Sequence, residues 1–94
     1  MKPTQSIIQK DKECFICGCK QEEILSEHHC IENSGRRDNA ERLGLKVWLC
    51  YYCHQGVHDH NQHELELKQI AQMTSEKKLG TREEWIKLFW KNYL

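Results

Sequence analysis

Residues 44–58, GLKVWLCYYCHQGVH, place an alternating apolar run, a C-x2-C pair and an H-x3-H pair side by side. Leu45, Val47 and Leu49 recur at period two, which predicts a strand over Leu43 to Leu49 delivering Cys50 and Cys53. His54 and His58 stand four apart, so a helical turn starting at Cys53 puts both imidazoles on one face, as a metal pair requires. Gly56 between them weakens that helix slightly.

Working outward, a second C-x2-C pair lies upstream at Cys14 and Cys17. Each pair can wrap two thiolates onto one side of a tetrahedral ion, so Cys14, Cys17, Cys50 and Cys53 are expected to share one structural zinc. A thioredoxin-like redox pair lacks its βαβ context here, and the spacing matches neither common ferredoxin pattern. Cys19 and Cys30 are left over and read as buried or bystander thiols.

All six histidines fall in two short segments beside the cysteine pairs: His28 and His29, then His54, His58, His60 and His63. Adjacent side chains diverge, which suits His28 and His29 to two tasks around one phosphate, one holding a metal and the other handling water. Histidine serves as a general base because an unperturbed pKa near about 6.5 leaves much of it neutral. The bland alternative has one histidine completing the zinc site and the rest solvated. His60 and His63 read as surface residues.

The 94-residue chain reads as a single domain over residues 14–94 preceded by a flexible arm over residues 1–13. A domain this small buries only about 60–65% of its unfolded surface, so a staple is expected. With 38% hydrophobic and 30% charged residues and one proline, the chain fits neither a disordered tail nor a membrane protein. Ile7 and Ile8 fall far short of a signal peptide, which points to the cytoplasm, where cysteines bind metals more readily than they pair. Lysine plus arginine equals aspartate plus glutamate at 14 each, so global charge gives no support to nucleic-acid binding. Bound metals would change that balance locally.

The stretch from Asn33 to Glu41, NSGRRDNAE, reads as an exposed loop. On it, Arg36 and Arg37 could clamp phosphate oxygens by bidentate hydrogen bonds or lie solvated against Asp38 and Glu41. A helix is expected from about Glu64 to Lys78, ended by Gly80, and a last helix is opened by a capping box of Thr81 and Glu84. Trp85, Ile86, Leu88, Phe89 and Trp90 supply its apolar face.

Taken together, CFICG, EHHC, GLKVWLCYYCH and the following His58 resemble HNH nucleases with paired zinc knuckles, including small proteins of phages and prophages of Gram-positive bacteria. The ending LFWKNYL is similar to a recurrent ending of those phage proteins, usually with glycine where Trp90 stands, so the resemblance spans roughly residues 14–94. It implies a small α+β fold: a ββα-metal, treble-clef-like finger stapled by structural zinc, with an additional C-terminal helix. It also implies that His28, His54 and His58 hold a catalytic divalent metal (magnesium, manganese, nickel or zinc), with His29 as general base. The asparagine that holds the base in that family has no counterpart in Leu43 to Lys46. Asn39 is the nearest candidate and Asn33 a weaker one.

The resemblance thus implies a metal-dependent endonuclease hydrolysing DNA, placed in phage or prophage DNA metabolism or recombination inside a bacterial host. DNA would be its partner, with a phage or host recombination protein as an optional second one and no membrane. The rival expectation is a non-catalytic treble-clef zinc module binding DNA or protein.

Overall fold

A computed structural model describes residues 5–32 and 36–94. It is a small α+β fold: strand β1 (Leu25–His29), helix α1 (Arg37–Leu43), strand β2 (Lys46–Cys50), then helices α2 (Tyr51–His60), α3 (Glu64–Lys78) and α4 (Arg82–Phe89). A single 3-10 turn, Glu22–Ile24, leads into β1.

The two strands pair antiparallel with Leu25 opposite Cys50, His28 opposite Val47 and His29 opposite Lys46. They are joined through α1 rather than by a tight turn, so the expected exposed loop is corrected over residues 37–41. From Arg37 onward the chain is helical, because Ala40 is fully buried and Gly44 closes the helix in the left-handed conformation, φ 75°. Asn33 lies outside the described residues.

Gly44 is also where the N-terminal segment docks. The Ile7 amide donates to the Gly44 carbonyl (2.9 Å), and a side chain there would run into the Gln5 backbone. The Trp48 amide donates to Gln9 Oε1 (2.9 Å), and Ile7 and Ile8 pack against the core. The described part of the arm, residues 5–13, therefore lies against α1 and β2. This cover is why β2 is buried on both faces, Lys46 included, instead of alternating.

β2 runs directly into α2, with Cys50 extended (ψ 162°) as the residue before the first helical turn. α3 occupies the expected span. α4 opens with the Thr81 and Glu84 capping box and buries Trp85 and Phe89. The tail returns to α3 through the buried amide of Gln72, which donates to Asn92 Oδ1 (2.8 Å) and accepts the Tyr93 amide (2.7 Å). Trp90 caps α4 in the left-handed region, φ 61°, a conformation glycine adopts without strain. Among the described residues no helix is long and apolar enough to cross a membrane.

Candidate metal centres

The first knuckle is built by local backbone bonding. The Cys14 amide donates to the Cys19 carbonyl (2.7 Å), the Gly18 amide donates to the Cys14 carbonyl (2.8 Å), and Gly18 takes φ 81° at the turn. The second straddles the β2 to α2 junction, Cys50 ending the strand and Cys53 sitting in the first helical turn. The four sulfurs Cys14, Cys17, Cys50 and Cys53 lie within 4.8 Å of one another and could hold a metal ion such as zinc.

Two observations fit that ion. The Cys17 and Cys50 sulfurs are 3.8 Å apart. Zinc–sulfur bonds of about 2.3 Å put tetrahedral sulfurs roughly 3.8 Å apart. Burial would raise the Cys14 thiol, but amides of Cys17, Cys50 and Ile16 pointing at its sulfur bring it down to about 6. Burial and the neighbouring Cys14, Cys50 and Cys17 push the Cys53 thiol up. A cation among the four sulfurs would favour the ionised form that burial and its neighbours disfavour at Cys53.

A second group forms on one face of the sheet. In β1, Ser26 and His28 share a face by strand alternation. Against it α2 lays His54 and His58, whose rings lie 5.1 and 5.5 Å from that of His28 and 4.6 Å from each other. The one-face expectation for His54 and His58 therefore holds, and His28 joins them. Glu32 completes the group, with all four donor atoms within 4.8 Å. Ser26 Oγ is 3.0 Å from His54 Nδ1, a contact that holds the orientation of that ring.

His28 is 4% exposed, and its Nδ1 is buried without a hydrogen-bond partner among the described residues. Burial, with the repulsion of His54, His58 and His29, pushes its pKa down to about 3, so it stays a neutral imidazole. His54 is lowered by burial and His58. A neutral, unpartnered imidazole such as His28 is a metal donor. Beside them a cavity of about 140 Å³ opens between His28, Cys30, Glu32, His58, Glu64 and Lys68. Burial pushes the Cys30 thiol up to about 12, as expected of a bystander.

His29 is buried too, but strand alternation turns it to the opposite face. Its Nε2 lies 3.1 Å from Glu41 Oε1, and the other oxygen of Glu41 accepts a hydrogen bond from Lys46 Nζ at 2.7 Å. Lys46, 1% exposed, also meets Glu27 at 2.9 Å. Burial pulls the Lys46 ammonium down, but Glu41 and Glu27 outweigh it and hold it above its usual value. The Lys46 hydrogen bond, helped by His29, lowers Glu41. An ionised carboxylate only accepts, so Nε2 of His29 is the donor in this contact.

The other expected site residues are placed elsewhere. Asn39 donates to the Leu88 carbonyl (3.1 Å) and accepts from Arg42 (3.1 Å), so its side chain ties α1 to α4 and does not reach His29. The residue bonded to His29 is Glu41, two positions on. Arg36 stacks its guanidinium 4.2 Å above the Trp90 ring instead of standing free in solvent, while Arg37 is exposed on the first turn of α1. His60 is exposed, and His63 meets Glu66 at 3.3 Å. Glu32, Glu41 and Ser26 were not anticipated. For Ser26 the signal existed, since it stands two before His28 on a strand. Comparison of the chain with family models, curated proteins and solved structures finds no match.

Proposed function

We propose that the chain is a metal-dependent endonuclease of the HNH kind, acting on DNA phosphodiester bonds through a treble-clef-like ββα-metal finger. The observation that carries this reading is the convergence of His28, His54 and His58 beside a cavity, on the two elements β1 and α2 that Cys50 and Cys53 help to fasten. Four cysteines suffice for a structural staple, so a second, imidazole-rich group calls for another use. A divalent ion on these imidazoles would supply charge neutralisation for the phosphate and the leaving oxygen.

The chain's own residues divide the remaining work. His29, bonded to Glu41 on the opposite face of β1, is assigned the proton of the attacking water by the resemblance of the motifs and not by its position beside the three imidazoles. Ser26 fixes the ring of His54. Arg37, exposed at the start of α1, contacts a substrate phosphate. A bacterial host cytoplasm and phage or prophage recombination fit the resemblance of the motifs.

A non-catalytic treble-clef module binding DNA or protein is the rival reading. The closeness of Glu32 to the imidazoles favours it, since catalytic zinc sites keep one position open. Nicking of supercoiled plasmid decides between them. Activity that needs a divalent ion, stops with EDTA and falls about 10²–10⁴-fold in His29→Ala supports the nuclease. Wild-type protein that leaves the plasmid intact with every divalent ion supports the module.

A further inference from the structure

We infer that Glu32 is a fourth protein ligand of the second metal centre, which makes it a three-imidazole, one-carboxylate site selective for zinc-like ions over magnesium. The inference rests on the metal-binding part of the reading above and not on nuclease activity.

Glu32 follows β1 in an irregular segment, and its two carboxylate oxygens reach different imidazoles: Oε1 lies 3.5 Å from His28 Nδ1 and Oε2 lies 3.6 Å from His58 Nδ1. Neither approach is a hydrogen bond. The His28 nitrogen has no such partner among the described residues, although it is buried and lies near the carboxylate. Nitrogen and oxygen donors about 2.0–2.1 Å from a shared tetrahedral ion stand roughly 3.3–3.4 Å from each other. The separation of Oε1 from His28 Nδ1 lies close to that spacing, and both separations lie beyond the usual hydrogen-bond range of about 2.7–3.2 Å.

The donor set also bears on the choice of ion. Magnesium demands near-octahedral oxygen ligands and keeps its waters, whereas imidazoles with one carboxylate suit zinc, cobalt and nickel. Imidazole side chains bring no negative charge, so Glu32 is the one anionic donor of the group.

The test uses the full chain with its cysteines already loaded with zinc. Cobalt(II) is titrated in and visible absorption followed, with magnesium as competitor. Wild type should bind one further cobalt with the intense bands of a tetrahedral site, undisturbed by a large excess of magnesium. Glu32→Gln should bind it at least about tenfold more weakly with an altered spectrum. Far-UV circular dichroism identifies a variant that has not folded, in which case Glu32→Asp, which keeps the charge but shortens its reach, should show a smaller loss in the same direction. Unchanged affinity and spectrum in folded Glu32→Gln would overturn the assignment, as would a wild type that takes up no second ion. A wild type that binds cobalt through Glu32 yet never nicks DNA would remove the nuclease reading and leave the ligand in place.

Discussion

His29 Nε2 and Glu41 Oε1 stand 3.1 Å apart on the face of β1 turned away from His28. Glu41, and not the expected Asn39, is the residue bonded to His29. If Glu41 acts on cleavage through His29, Glu41→Gln should slow plasmid nicking about tenfold or more while leaving the affinity for the second ion unchanged. In a His29→Ala background the same change should cost nothing further, because residues acting as a unit are not additive. Additive losses in the double variant would separate the two residues.

Zinc analysis of protein purified without chelator should find a tightly held ion that Cys14→Ser and Cys50→Ser each remove, with loss of folding. Cys19→Ser should leave zinc in place, since Cys19 is outside the four-sulfur group. Retention of zinc and of the thermal midpoint in Cys50→Ser would break the staple.

His28 gives a pH dependence with a definite sign. Burial and its histidine neighbours hold the folded group down to about 3. An unfolded histidine titrates near about 6.5, so between these values the unfolded chain holds the extra proton. The stability linked to His28 is therefore full above about pH 6.5 and lost progressively as the pH falls toward 3. Protein carrying zinc on its cysteines alone should melt at a lower temperature near about pH 5.5 than near pH 7.5, and His28→Phe should flatten that difference. Parallel curves for the two proteins would contradict a neutral, buried His28.

Gln72 should matter to stability without touching either centre. Its buried amide accepts the Tyr93 amide and donates to Asn92 and Glu76. Gln72→Ala strands the Tyr93 N–H, so a loss of about 1–3 kcal/mol in denaturant unfolding is expected, with zinc content unchanged. A loss below about 0.5 kcal/mol would mean that the tail docks by Tyr93 packing alone.

Local pattern made several features legible in the sequence. C-x2-C spacing, H-x3-H spacing, the period of Leu45, Val47 and Leu49, and the Thr81 and Glu84 box each depend on residues a few positions apart, where backbone geometry alone sets which side chains converge. The four-cysteine group, α3 and the cap of α4 followed from these. Helix α1 did not, because the turn formers of its stretch are overruled by the burial of Ala40 and the left-handed closure at Gly44. The docking of residues 5–13 on β2 was equally hidden, since polar residues such as Gln9 spend their hydrogen bonds on a strand far along the chain.

By itself, the sequence determined which residue types could bind metal and that two C-x2-C pairs could share one ion. Only the tertiary structure decided how those donors are shared. It set Glu32 against His28 and His58, turned His29 to Glu41, and spent Asn39 on α4 and Arg36 on Trp90. The reason is physical: strand alternation sends His28 and His29 to opposite faces, and what each then meets depends on α2 and α1, whose packing no local spacing encodes.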